Sequence, residues 1–281
     1  MRLAYFGTPE MAVPPLRALV AAGHDVALVV TRVDKRRGRG SELSPSPVKA
    51  AALELGIPVS HSVDDVLGRD VELGVVVAFG QLIKPNVLAE VPMVNMHFSL
   101  LPRWRGAAPV ERAVLAGDTE TGVCLMQLEE GLDTGPIYDT VRLPMAATAT
   151  ADDLRRDLVV IGTAQLVRCL AAPLPHPDPQ HGEPLYAAKI RPEELRIDWS
   201  QPVEQIDRLV RLGGAWTTFR GKRLKVVAVS CGEPESDAWD RSPEQPLQGL
   251  RLVTVQPEGK GPMPYADFAR GARPRNEEMF E

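Results

Sequence analysis

The sequence predicts an α/β protein: a parallel sheet with helices on its faces, followed by a small, mostly β second domain. Three observations predict it. The chain opens strand–helix–strand, with an apolar run at Leu3–Phe6, an amphipathic stretch at Met11–Ala22 and a second apolar run at Val26–Thr31. Two further apolar runs, Leu73–Phe79 and Val91–His97, read as buried strands of the same sheet. Composition then shifts: Ala172–Pro184 is rich in Pro and His, and beyond Pro202 short strands replace the helix–strand alternation.

The elements follow in order. Thr8 followed by Pro9 suits an N-cap with a first-turn proline, and Gly23 a helix stop. Residues 32–44 form a basic loop and Pro45–Leu55 a helix. Val110–Ala116 reads as a helix, Gly122–Leu128 as a strand, and Gly135–Leu143 as its pairing partner. Residues 150–171 carry a helical amphipathic pattern. A charged, polar stretch at 185–199 reads as a linker. A short helix (Val203–Leu212) and strands near Trp216–Phe219, Leu224–Val229 and Leu250–Val255 complete the chain. The expected domains are therefore 1–184 and 200–281, and there are no internal repeats.

The 281 residues, 44 % hydrophobic and 25 % charged, suit one large globular domain or two ordinary ones. No apolar run approaches the roughly 20 residues that span a bilayer. The N-terminus reads as a first strand, not a signal peptide. Cys124, Cys169 and Cys231 have no paired spacing, which argues against a disulfide framework and against a metal site. A reduced, cytoplasmic protein without a metal is expected. The turn Gly7-Thr8-Pro9 lacks the G-x-G-x-x-G pattern, and no P-loop is present, so a nicotinamide enzyme is unsupported. Net charge is −5, but residues 32–39 hold five cations against one anion, and Arg220, Lys222, Arg223 and Lys225 form a second cluster. Such patches are either solvated surface or a dock for a polyanion.

The chemistry points to residues 94–109. Asn95 and His97 lie two apart at the end of an apolar run, so they share one face of a strand. An amide can stabilise a developing oxyanion, and an imidazole can move a proton near neutral pH. An orienting carboxylate would complete the set. Asp133, in Gly131-Leu132-Asp133-Thr134-Gly135, is the best candidate, although the same five residues also read as a hairpin turn. Ser99 lacks the G-x-S-x-G elbow of a nucleophile, so a binding or capping role fits it better. Arg103, Trp104 and Arg105 either engage a ligand or lie on the loop surface.

The run Asn95-Met96-His97-Phe98-Ser99-Leu100-Leu101-Pro102 with Arg103-Trp104-Arg105-Gly106-Ala107-Ala108-Pro109 resembles the signature of folate-dependent formyltransferases. The wider pattern is similar to those that act on initiator methionyl-tRNA. It includes Phe6–Glu10, Gly38–Gly40 with Pro45–Lys49, Ala78–Ile83, Arg196–Ser200, Gly214–Gly221 and Val255–Lys260, nearly the whole chain. The resemblance implies a Rossmann-like catalytic domain that uses 10-formyltetrahydrofolate as co-substrate, a linker, and a C-terminal OB-like β-barrel that binds tRNA. By position, Asn95, His97 and Asp133 match the catalytic trio, and Ser99, Leu100, Leu101 and Pro102 the folate-contacting loop. Arg36, Arg37 and Arg39 fall in the insertion that approaches the tRNA acceptor stem. A monomer in the bacterial cytoplasm is the default expectation, with no membrane partner. The chain departs from that pattern at Val33 and Lys35–Arg37, at Ser41 and Glu42, and in a shortened segment at Arg211–Ala215. Two other readings stay open: a formyltransferase for a small amine such as a sugar nucleotide or glycinamide ribonucleotide, and a weakly active RNA-binding paralogue. A formyl-folate hydrolase is a third.

Overall fold

The structure is a computed structural model that describes residues 1–36, 43–232, 249–274 and 280. It divides into two compact units: Met1–Val110, Glu120–Pro144 and Leu154–Ala188 form the first, and Glu111–Thr119, Met145–Asp153 and Lys189–Glu281 the second.

The first unit opens with β1 (Arg2–Gly7), α1 (Val13–Ala21) and β2 (Asp25–Val30). Gly23 ends the first helix at φ +86°, where glycine meets no steric penalty. The helix start differs from expectation. A 3-10 turn at Glu10–Ala12 precedes α1, and Thr8 caps neither; its hydroxyl donates to the Phe79 carbonyl at 3.2 Å. Pro14 and Pro15 set the first turn of α1, because proline donates no N–H and tolerates only that position. Within the basic segment, β3 (Lys35–Arg36) pairs antiparallel with β4 (Leu43–Ser44), two residues to each strand. Next, α2 (Pro47–Glu54) is capped by Ser46, whose hydroxyl accepts from Lys49 N at 3.0 Å.

After β5 (Val59–Ser60), too short to leave a periodic signal, come β6 (Leu73–Val77), α3 (Pro85–Glu90) and β7 (Met93–His97). Then follow the two-residue β8 (Arg105–Gly106), α4 (Pro109–Ala116), β9 (Glu120–Gln127), β10 (Ile137–Pro144) and α5 (Ala151–Leu170). Thr150 and Asp153 cap α5 reciprocally: Asp153 N donates to the Thr150 hydroxyl and Thr150 N to the Asp153 carboxylate, both at 3.1 Å. The seven-stranded sheet runs β10-β9-β7-β6-β1-β2-β5. Its β5-β2-β1-β6-β7 portion is parallel, and β9 and β10 are antiparallel additions. The order reverses at β1, which pairs with both β2 and β6, and ligands of such sheets bind at the carboxyl ends of strands near that reversal. Its core includes Ala4, Phe6, Leu28, Val30, Val76 and Met93, all under 8 % exposed, and Phe6 meets Phe79 edge-on at 5.6 Å.

Residues 185–199 carry ladder bonds. In the first unit, β11 (Tyr186–Ala187) pairs parallel with β8. In the second, Ile197 N donates to Trp216 O at 2.8 Å. That unit contains α6 (Val203–Arg211), β12 (Trp216–Phe219), β13 (Lys222–Cys231), β14 (Leu250–Pro257), β15 (Met263–Pro264) and α7 (Tyr265–Ala272). The four strands form one antiparallel sheet in sequence order. Gly213 and Gly214, at φ +80° and +88°, turn the chain from α6 into β12 within the shortened segment. Phe219, Phe280 and Trp199 stack into the core, with Phe280 5.6 Å from Phe219 and 5.7 Å from Trp199.

Candidate active site

Asn95 and His97 occupy the carboxyl half of β7, and alternation along the strand puts both side chains on one face. Asn95 pairs with Val76 of β6 and Met126 of β9, and His97 with Cys124 of β9. His97 is 5 % exposed, and Asn95 is half-buried. Burial pushes the Cys124 thiol up, so this neighbour stays a neutral packing group.

The 131–135 segment is both of the things its sequence allows. It connects β9 to β10 as a turn, and it brings Asp133 to the other two residues. Asp133 Oδ2 lies 3.6 Å from His97 Nδ1 and accepts from Gly106 N at 2.7 Å. Asp133 Oδ1 accepts from Asn95 Nδ2 at 3.5 Å, a long bond that leaves both groups with capacity for a ligand. Asp133 sits at φ +50°, in the left-handed region where aspartate and asparagine are the best tolerated residues after glycine. A Cβ at Gly135 would press into the Gln127 carbonyl, which explains the glycine there.

His97 Nε2 lies 2.9 Å from the Trp104 carbonyl. A carbonyl only accepts, so Nε2 carries the hydrogen and Nδ1 is the nitrogen free to take a proton. A proton placed on Nδ1 faces the Asp133 carboxylate directly. The backbone carbonyl thus sets the ring's tautomer and leaves Nδ1 turned toward the carboxylate.

The loop 99–106 supports this arrangement. Ser99, 1 % exposed, donates through its hydroxyl to Arg103 O at 2.6 Å, so it closes the loop. Leu101 packs with Cys124, Met126 and Ile137, while Leu100 and Pro102 are half-buried. The Arg103 guanidinium stacks 4.7 Å from the Trp104 ring centroid. Gly106, at φ +116°, sits where a Cβ would come within 3.0 Å of Ala187 O. Sequence reasoning missed the Trp104 carbonyl and the Gly106 N–H, because backbone groups have no residue-type signature.

Of the expected tRNA-binding residues, Arg36 ends β3, paired with Leu43 of β4, and Arg37 and Arg39 lie outside the described residues. On the second unit, Lys222, Arg223 and Lys225 are exposed along β13, with the Arg223 guanidinium 4.4 Å from the Trp216 ring centroid. Among the described residues no group of three or more His, Cys, Asp or Glu is placed to hold a metal ion.

The family description "Formyl transferase" matches residues 1–170, and "Formyl transferase, C-terminal domain" matches residues 189–273. The chain belongs to the formyl transferase family. This formyltransferase is 40 % identical over 307 residues to a protein of Roseobacter denitrificans named methionyl-tRNA formyltransferase, covering 100 % of this chain and 99 % of that one. Its fold matches the solved structure of a methionyl-tRNA formyltransferase from Clostridium thermocellum at TM-score 0.62 and 17 % identity, over 83 % of this chain and 94 % of the other. It also matches HypX from Aquifex aeolicus, solved with tetrahydrofolic acid, at TM-score 0.66 and 15 % identity. That match covers 96 % of this chain and 47 % of HypX, so the formyltransferase spans about half of that protein.

Proposed function

We propose that this formyltransferase moves the formyl group of 10-formyltetrahydrofolate to the α-amine of methionine on initiator methionyl-tRNA, giving N-formylmethionyl-tRNA and tetrahydrofolate. The observation that carries the substrate is the 40 % identity to a methionyl-tRNA formyltransferase along the whole length of both chains. The chemistry rests on the convergence of Asn95, His97 and Asp133.

The neutral amine attacks the formyl carbon, and the carbonyl electron pair moves onto oxygen. Asn95 Nδ2 donates to that oxyanion. The His97–Asp133 pair takes the proton released by the attacking nitrogen, on Nδ1 beside the carboxylate. The pair returns this proton to the folate N10 as the C–N10 bond breaks, so the proton count closes. A preorganised donor of this kind contributes about 3 kcal/mol to the barrier reduction. Because the Ser99 hydroxyl already bonds Arg103 O, the 99–102 loop serves the folate through its backbone and the partly exposed Leu100 and Pro102.

Residues 1–184 act as the catalytic, folate-binding domain, 185–199 as the linker and 200–281 as a tRNA-binding domain, with Arg36, Arg37 and Arg39 contacting the acceptor stem. The protein works as a monomer in the cytoplasm, where charged initiator tRNA is used. Among the described residues no helix is long and apolar enough to cross a membrane.

The test is direct. The purified protein is incubated with 10-formyltetrahydrofolate and charged initiator tRNA, and formyl-methionine is measured after deacylation. Transfer to the initiator and not to elongator methionyl-tRNA is expected, and Asn95→Ala abolishes most turnover. Formylation of a small amine in preference to methionyl-tRNA would overturn the substrate, and near-normal turnover by Asn95→Ala would overturn the site.

A further inference from the structure

Gln180 lies in the Pro- and His-rich segment that reads as a domain-edge loop. The structure gives it four hydrogen bonds in the middle of the site's supports. Its Nε2 donates to Asp133 O and to Gly135 O, both at 2.8 Å. Its Oε1 accepts from Arg105 Nη2 at 2.6 Å and from Arg105 Nε at 3.1 Å. An amide offers two donor hydrogens and two acceptor lone pairs, so every valence of this side chain is used.

The backbone around it is anchored on both sides. Two residues earlier, Asp178 and Ile137 exchange bonds at 2.7 and 2.8 Å, tying the segment to the start of β10. Five residues later, Leu185 O accepts from Arg105 N at 2.8 Å. The amide therefore joins two loops across the site. One carries Asp133 in its left-handed conformation, and the other carries Arg105 and the adjacent Gly106 N–H that binds the Asp133 carboxylate.

We propose that Gln180 is a positioning residue for formyl transfer: it holds the main chain at Asp133 against the Arg105–Gly106 turn, so that the carboxylate meets Gly106 N and His97 Nδ1 at once. This inference rests on the proposed role of Asp133. Gln180 touches no reacting atom. Its effect passes through the placement of the carboxylate, and a misplacement of about 1 Å in such a group costs roughly 100-fold in rate.

Gln180→Glu separates this role from a simple tether to Arg105. It keeps the shape and strengthens the acceptor for the guanidinium, but it sets an oxygen against the Asp133 and Gly135 carbonyls. Both Gln180→Glu and Gln180→Ala are measured for kcat and KM with each substrate, beside Asp133→Asn. The Gly106 amide signal is followed in protein labelled with 15N-glycine. The expected result is a kcat loss of about 10- to 100-fold in both Gln180 variants, with the KM values changing far less. The Gly106 proton moves upfield as its short bond to the carboxylate loosens. If Gln180→Ala does not fold, Gln180→Glu decides.

Wild-type kcat in Gln180→Glu overturns the proposal, as does a loss of kcat with the Gly106 signal unmoved. When Asp133→Asn is inactive and the Gln180 variants are fully active, the inference about Gln180 alone is wrong. When Asp133→Asn is itself fully active, the reading of the site fails and takes this inference with it.

Discussion

Replacing Asp133 by asparagine separates charge from shape at the centre of the site. The new side chain keeps an oxygen for Gly106 N, 2.7 Å away in the native protein. Its NH2 group then faces Asn95 Nδ2, which lies 3.5 Å from the native Oδ1, and two donors oppose each other. The Asn95 amide relieves this by rotating half a turn, which points its oxygen into the site where its N–H had been. Losing that oxyanion donor costs about 3 kcal/mol, roughly 100-fold in rate. Removal of the charge beside His97 Nδ1, at 3.6 Å, adds to this. Two unit charges near that distance attract by on the order of 4 kcal/mol at an effective dielectric of about 20. We expect kcat to fall by a factor of about 100, from the lost donor alone, to about 100,000, if the charge term adds in full, in steady-state formyl transfer. Stability should hold, because asparagine suits the φ of +50° at residue 133 as well as aspartate does. Calorimetry should place Tm within about 3 °C of the native protein. Near-native kcat would refute the role of the carboxylate. A large drop in Tm with the activity would refute the claim that shape is preserved.

Further outcomes follow from the same geometry. Gly135→Ala forces a methyl group against the Gln127 carbonyl and to 3.3 Å from Glu129 Cγ. It should cost about 1–3 kcal/mol in urea unfolding and lower turnover as well, and an unchanged midpoint would contradict it. The KM for methionyl-tRNA should rise with salt far more than the KM for folate. Replacing Arg36, Arg37 and Arg39 with alanine should reduce the tRNA log–log salt slope by about one for each phosphate no longer neutralised, and an unaltered slope would remove this segment from the tRNA surface. Asp198 is held down to about 2 by the Ser200 hydroxyl, then the Gln201 amide and the Ser200 N–H. Its lowered value means that its stabilisation is fully present above its ordinary value of 3.8 and is lost as pH falls through about 2. A carboxyl NMR titration should place the midpoint near 2, and Ser200→Ala should raise it; no change in that variant would sink the assignment.

Much of the fold is legible in residue order because its signals are local. Apolar runs mark β1, β2, β6 and β7, since a strand buried on both faces is apolar without interruption, as in Leu73-Gly74-Val75-Val76-Val77 of β6. Gly23 marks a helix end through backbone freedom, whereas the helix expected over Pro45–Leu55 starts at Pro47, because the Ser46 hydroxyl caps it. The pairing of β9 with β10 is legible too, because a short turn joins two neighbouring strands. The N-cap expected at Thr8 does not form, because the prolines at 14 and 15 move the helix start and Thr8 finds a partner at Phe79, far away in the chain. The pairs β3–β4 and β8–β11 involve two residues per strand, too few for a period to register.

Residue order alone places Asn95 and His97 on one face, since a strand repeats every two residues wherever it lies. The glycines of 131–135 likewise mark a loop that can approach its neighbours closely, because glycine carries no Cβ. That Asp133 reaches His97, that the Trp104 carbonyl sets the ring's tautomer and that Gln180 bridges two loops emerges from long-range packing alone. The difference is one of range. Strand alternation and turn preferences act between near neighbours, whereas these interactions join residues 7 to 75 positions apart, several of them through backbone atoms that every residue type shares.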